Sequence, residues 1–473
     1  MDTANAWAHE EFGDVQTRDA RLGYRLVQMA RRVAAAPNGI VAKVFKVPSE
    51  RQGAYDLLGN ARIPSQAVIA AAARATARRC AEPGVVRLVI DGTSASLADR
   101  AKRKELGSIG KRQFPTRGLK LVDVCAVDHR GVPMGLLGLR AWARERSRKG
   151  SRFIRRRDGR TEMGEHWLPA LRDSADVLRE HAPNARLWVV GDRECDDARF
   201  LRAAADVGTF TVRAAQNRLV ETRGGKRRKL FSVARAGRLI ATRLVDLPAT
   251  PVRRARLATL DIRISRATLL LPLYDSTNNR VAFEVNIVEL RERSRRRDAI
   301  SWTLLTNASV DTIVEVDEVI ASYRARWRIE EFHRAWKAGA CDLEATQLRS
   351  RDAITKWATI LGVVAARAER LKQLSRTTPD ALATIELSDV EIIALITAKR
   401  KIKTSVESVP DGVPTIALAT RWIAELGSWT GQYRKKGGGP GTTTIARGLE
   451  HLATWSLAVS ALVKPKEIKR RLR

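Results

Sequence analysis

The sequence predicts an α/β core with an inserted β-rich subdomain, flanked by helical N- and C-terminal regions. Three observations point there. Short apolar runs ending at acidic residues alternate with helical patterns between Val85 and Arg213. From Gln216 to Ile300 that rhythm gives way to short alternating runs such as RLIATRLVDL and RVAFEVNIVEL. Before and after these regions, apolar residues recur at helical spacing. The expected limits are 1–82 for the N-terminal helices, 83–372 for the core with its insertion at 214–300, and 373–473 for the C-terminal helices.

In order, Arg18–Ala36 carries Leu22, Leu26, Met29 and Val33 at helical spacing among arginines. Pro48–Asn60 and Ser65–Cys80 read as two further helices, with Ser49 and Ser65 as N-caps. VVRLVI (Val85–Ile90) predicts a strand ending at Asp91, and LVDVCAV (Leu121–Val127) and VPMGLLGLRAW (Val132–Trp142) predict a hairpin across Asp128–Gly131. Glu165–Glu180 reads as a helix, LWVVG (Leu187–Gly191) as a strand ending at Asp192, Asp197–Ala205 as a helix and Gly208–Arg213 as a strand. After the insertion, SWTLLTN (Ser301–Asn307) returns as a strand and leads into a single helix, Ser322–Gly339. The remainder is mostly helical, interrupted by the GGGPG turn at Gly437–Gly441 and closed by the basic tail KPKEIKRRLR.

The 473 residues carry 86 Lys+Arg against 52 Asp+Glu, a net charge of +34. Arg-rich coding bias raises arginine, but so large an excess over acids points to a polyanionic partner, nucleic acid ahead of an anionic membrane surface. The four cysteines are far apart with no CxxC pair, and the six histidines form no HExxH-type pattern. Zinc sites and disulfide frameworks are therefore disfavoured, and a reducing cytosol is expected. The N-terminus lacks a signal-peptide pattern and no apolar run is long enough to span a bilayer, so no membrane partner is expected.

Chemistry concentrates in SYRARWRIEEFHRAWKAG (Ser322–Gly339). On one continuous helix, Tyr323, Arg326, Glu330 and Lys337 fall within about 60° of one another. The opposite arc holds Ala325, Ile329, Phe332 and Trp336, a stripe suited to burial. A carboxylate among cations suits a metal-dependent, phosphate-handling site, although a surface helix with ordinary ion pairs shows the same pattern. Asp91 and Asp192, expected at strand ends, can meet Glu330 at the sheet edge. Such aspartates also serve as caps and turn formers. If the acids converge, their oxygen-only donors favour Mg²⁺, with Mn²⁺ able to substitute. Two such ions about 3.5–4 Å apart can activate an attacking oxygen and stabilise a leaving one.

Tyr323, Arg326, Glu330 and Lys337 reproduce a Y-(2)-R-(3)-E-(6)-K spacing, within WRIEEFHRAWKAGA (Trp327–Ala340). With VIDGTS (Val89–Ser94) and GDRECD (Gly191–Asp196) at the places of the two acidic motifs, the chain resembles the DDE transposases of bacterial insertion sequences. The similarity extends from GDVQTRDARL through RQGAY (Arg51–Tyr55) to the C-terminal helices. It implies an RNase H-like (retroviral integrase-like) core, with Asp91, Asp192 and Glu330 as catalytic metal ligands. It implies that Arg326 and Lys337 grip phosphates near the cleaved end and that Tyr323 helps place it. Trp302 matches a tryptophan on which a flipped base stacks, or is a core strand residue. Trp327 and Arg213 are further candidate DNA contacts. The segments Arg144–Arg160, Arg223–Lys229 and Arg291–Arg297 could touch DNA or be solvated basic loops.

The expected function is cut-and-paste transposition: metal-dependent hydrolysis at inverted-repeat ends, hairpin formation and resolution, then strand transfer into target DNA. The resemblance further implies a helical N-terminal domain that binds transposon ends, a homodimer joined through the C-terminal helices in a synaptic complex, and a cytoplasmic, nucleoid-associated location in bacteria. Alternatives are a stand-alone metal-dependent endonuclease and a non-catalytic DNA-binding regulator.

Overall fold

The computed structural model describes residues 6–99, 103–109, 116–144, 161–222, 224–247, 249, 253–272, 280–401, 409, 412–431 and 439–462. Of the basic segments offered as candidate DNA contacts, residues 145–160 and Arg223 lie outside these, and so does the KPKEIKRRLR tail. So do the first two glycines of the GGGPG turn.

The chain opens with helices α1 (Ala6–Phe12), α2 (Ala20–Ala35), α3 (Val41–Val44), α4 (Pro48–Gly59) and α5 (Ser65–Arg79). On α2 the Asp19 carboxylate accepts from Arg21 N–H as N-cap, and Leu22, Leu26, Met29 and Val33 are buried as their spacing predicts. Ser49 and Ser65 are not caps. Val47 and Pro64 hold those positions, with Pro48 inside the first turn of α4. At α5 the free N–H of Ser65 is capped from far along the chain, by Asp352 Oδ1 at 2.9 Å.

One twelve-stranded sheet forms the body of the protein. Its strands are β1 (Gly84–Ser96), β2 (Gly107–Ser108), β3 (Arg117–Val127), β4 (Pro133–Trp142), β5 (Ala185–Gly191), β6 (Thr209–Arg213), β7 (Leu219–Glu221), β8 (Arg227–Lys229), β9 (Arg238–Leu247), β10 (Arg256–Pro272), β11 (Arg280–Glu292) and β12 (Ser301–Thr306). One end runs β4-β3-β1-β5-β6, with β3 alone reversed and β1, β5 and β6 parallel. Helices α6 (Leu168–His181) and α7 (Ala198–Val207) make the crossovers between β4 and β6, as parallel strands require. Strand β12 pairs with β6, and β11 and β10 carry the sheet on into the insertion, which also holds helix α8 (Leu230–Arg235).

Strand β1 does not stop at Asp91. The apolar run ends there, and its parallel pairing with β5 ends at Ile90↔Gly191. Antiparallel pairing with β3 continues to Ser96↔Gly118, so Asp91 lies within a strand that has lost one neighbour. The helix expected at Ser322–Gly339 is two: α9 (Ile313–Ala325) and α10 (Trp327–Lys337). At their junction Arg326 N–H bonds back to Tyr323 O at 3.2 Å, a three-residue step that tightens the ladder.

Helices α11 (Arg351–Thr377), α12 (Asp389–Lys401), α13 (Ile416–Leu426) and α14 (Thr442–Leu462) complete the chain. The buried α11 packs on α2, α4, α5, β4, α10, α13 and α14, running through the boundary expected at 372/373. It ties the N-terminal helices, the sheet and the C-terminal helices into one packed body.

Candidate active site

The C-terminal edge of parallel strands β1 and β5 faces helix α10. Three of that helix's predicted apolar residues, Ile329, Phe332 and Trp336, are buried, which presses its other stripe toward β1. There Arg326 Nη1 donates to Asp91 Oδ2 at 3.2 Å and Nη2 donates to Glu330 Oε1 at 2.5 Å. One guanidinium thus bridges carboxylates 239 residues apart in sequence, from a strand and a helix. Lys337 Nζ donates to Thr93 Oγ1 at 3.1 Å and lies 3.7 Å from Glu344. Asp91 and Thr93 share a face of β1 by the two-residue strand period, and Arg326, Glu330 and Lys337 run above them along α10. Gly92 between them has a steric reason: a Cβ there would sit 2.6 Å from the Trp167 ring.

Asp192 follows β5 directly, as predicted, and its Oδ1 accepts from Glu194 N–H at 2.7 Å. The turn folds back tightly enough that a Cβ on Gly191 would meet Cys195 Sγ at 2.5 Å. Asp91 registers the resulting electrostatics. Burial pushes its carboxyl up to about 7; the charges of Asp192 and Asp123 reinforce this, and His333 and Arg326 oppose it. Burial and the Asp192 charge also raise Glu194. Arg326 is half-buried, and burial works against its charge, yet Tyr323, Glu330 and Asp91 hold its pKa above the usual value.

Among the described residues no three acidic, His or Cys side chains stand close enough to share one ion. The donor set nevertheless fits a hard divalent cation. It is all oxygen, it concentrates negative charge in a buried place, and it already draws a guanidinium between two of its members. A cation there would offset both the burial and the neighbouring charges that raise Asp91.

The carboxylate directly across from Asp91 is one that the sequence pattern does not single out. Asp123 on β3 is its register partner, wholly buried, and its Oδ1 lies 2.7 Å from His333 Nε2. Burial opposes protonation of His333, but Asp123 and Asp91 hold the imidazole above its usual value. A signal was present: His333 lies three residues after Glu330 and four before Lys337, on the same stripe. Asp123 gave none, sitting alone in an apolar strand.

The other candidates gather beside this edge in two groups. Tyr323, buried, meets Trp302 edge-on with ring centroids 5.0 Å apart, and Arg326 lies over the Tyr323 ring at 5.9 Å. Arg213 ends β6 and donates to Ser301 O at 2.9 Å, beside Trp302. Arg291 pairs with Ser301 across β11 and β12, and the arginines from there to Arg297 are exposed. Trp327 is 53% exposed at the start of α10 and takes no part in the bridged cluster.

Two family comparisons agree with this architecture. Residues 4–63 match the family described as transposase DNA-binding, and residues 165–366 match the transposase DDE domain. The second span includes Asp192, Arg213, Trp302, Tyr323, Arg326, Glu330 and Lys337, and begins beyond Asp91. A DDE domain implies an RNase H-like fold, and such domains generally use divalent metals.

Proposed function

From a chain that carries a transposase DNA-binding domain and a DDE transposase domain, we propose a cut-and-paste DNA transposase of the insertion-sequence type with a Y-R-E-K signature. The observation that carries the proposal is the Arg326 bridge between Asp91 and Glu330 at the strand edge where Asp192 also stands. The strand order β4-β3-β1-β5-β6 with β3 alone reversed supports an RNase H-like core. We assign residues 1–82 to end binding, the core to residues 83 through the end of α11 at Thr377 with its insertion at 214–300, and the remaining helices to dimerisation in a synaptic complex.

Asp91, Asp192 and Glu330 would hold Mg²⁺, or Mn²⁺ in its place, which when bound activates the attacking oxygen and stabilises the leaving one. The chain's own residues supply position and charge. Arg326, released from its carboxylates, offers a planar fork to a phosphate, and Lys337 offers a point charge further along the same stripe. Water attacks the phosphorus at the element's end, the P–O3′ bond breaks, and the 3′-oxygen leaves as a hydroxyl. That hydroxyl then attacks a phosphodiester of the opposite strand, closing a hairpin that a second water opens before strand transfer. Trp302 takes the flipped base by stacking, with Tyr323 holding its ring from behind. Arg213, Trp327 and Arg291–Arg297 line the path of the DNA.

The test is an in vitro reaction with Mg²⁺, a linear DNA carrying the repeats that flank the gene, and a circular target, run beside Glu330→Ala. Hairpin-ended fragments and joined products, absent in the variant, are expected. Cleavage without joining would mark a stand-alone endonuclease. Repeat-specific binding without cleavage in either protein would mark a regulator.

A further inference from the structure

We infer that the buried Asp123–His333 pair is a positioning device for this site: their hydrogen bond clamps helix α10 to β3 at the level of Asp91 and sets the gap between Asp91 and Glu330 that a divalent cation must span. The inference rests on the proposed metal-dependent site.

The pair is placed for that task. Asp123 is the direct cross-strand partner of Asp91, so the two side chains rise from the same face of the sheet. His333 stands one turn after Glu330 on the stripe that faces them. Its ring is itself held, with Phe332 and Trp336 at centroid distances of 5.7 and 6.3 Å. Asp123 has little freedom either: it is fully buried, with Oδ1 on His333 and Oδ2 3.8 Å from Cys125 Sγ. Besides Arg326 and Lys337, which hold the helix to β1, other polar fastenings of α10 include Arg328 to Gly131 O at 3.0 Å, Glu331 to Lys372 at 3.1 Å and Trp336 Nε1 to Ala358 O at 2.8 Å. Arg328, Glu331 and Trp336 all stand off the site-facing stripe. Among the described residues, His333 alone fastens the helix to β3 between Glu330 and Lys337.

A buried polar pair is a poor means of adding stability, because well-packed apolar residues of the same volume do as well. Its best use is to fix one register. An apolar contact would let α10 slide by a fraction of a turn. A 2.7 Å hydrogen bond to an immobile carboxylate does not.

The test uses the full chain. Mn²⁺ affinity is read by electron paramagnetic resonance and single-turnover nicking is read on an end-bearing duplex, well below the melting temperature. His333→Ala is expected to lose roughly 10- to 100-fold in both, the usual effect of removing a group that orients metal ligands. End-DNA binding should be unchanged. His333→Gln, whose amide can still donate to Asp123, should recover most of the loss, and Asp123→Asn should fall between. A wild-type Mn²⁺ affinity and nicking rate in His333→Ala, with melting lowered equally in the Ala and Gln variants, would mean a merely structural pair and overturn the inference. Asp91→Asn separates the levels. If it too keeps wild-type affinity and nicking, the site reading falls and the clamp with it; if it loses both while His333→Ala does not, only the clamp falls.

Discussion

The two ends of the single sheet are built differently. From β4 to β6 the strands are covered on both faces: β1 is buried almost continuously from Val85 to Asp91, and β3 from Leu121 to Val127. From β11 to β9 burial alternates residue by residue along β10, and β9 is mostly exposed, with Leu244 68% accessible. Some ion pairs show the same contrast. Arg326 sits between carboxylates that are mostly covered, whereas Arg243–Asp317 and Arg266–Asp311 lie in the open. Where water is excluded, burial, reinforced by the Asp192 and Asp123 charges, moves Asp91 to about 7. Where water reaches, arginines are free to meet a polyanion. On the proposed reading, one sheet keeps the chemistry at its covered end and offers a basic surface at the other.

The largest effects should come from breaking the covered end. Asp91→Asn and Glu330→Gln should each lower single-turnover nicking by at least about 10²–10³-fold, the scale of removing a group aimed at developing charge, with end binding retained in a band-shift assay. Arg326→Lys should be nearly as damaging as Arg326→Ala in the same assay, because an ammonium cannot reproduce a fork that reaches two carboxylates. Equal rates in Arg326→Lys and wild type would reduce the bridge to a mere positive charge.

Next in size is packing. Trp336, fully buried with its indole N–H on Ala358 O at 2.8 Å, should cost about 3–5 kcal/mol as Trp336→Ala in urea unfolding. Leu244→Ala on the exposed edge should stay within about 0.5 kcal/mol.

The covered end also predicts a pH dependence. The native chain keeps a proton on Asp91 that the unfolded chain gives up near pH 4. That contribution to stability is present at low pH and is lost as pH rises through about 7. A divalent cation competes with this proton, so Mg²⁺ should raise the melting temperature more at pH 8 than at pH 6, and Asp91→Asn should abolish the difference. The smallest effect belongs to the open end. Arg243→Ala should leave melting nearly unchanged, since exposed pairs contribute about 0–1 kcal/mol. If this surface meets DNA, the variant should reduce the slope of log affinity against log salt by about 1.

Local pattern made much of this legible. Asp192 follows an apolar run, and the apolar stripe of α10 has helical period, so both were readable from neighbours in sequence. The features that escaped depend on distant partners. β1 runs on to Ser96 only because β3 stays beside it, and Ser65 needs no side-chain cap because Asp352 supplies one. The break at Arg326 turns one expected face into two, taking Tyr323 inward to Trp302 while Arg326 reaches Asp91. The Asp123–His333 pair joins residues 210 positions apart, so no window on either one reveals the other.

The most direct test of the central claim is single-turnover nicking of an end-bearing duplex at pH 8 with and without Mg²⁺, with wild type, Asp91→Asn, Asp192→Asn and Glu330→Gln side by side. Mg²⁺-dependent release of 3′-hydroxyl ends by wild type alone, with all four proteins binding the duplex, is the predicted result. Nicking at the wild-type rate by any one of the three variants would show that these carboxylates do not form one catalytic site.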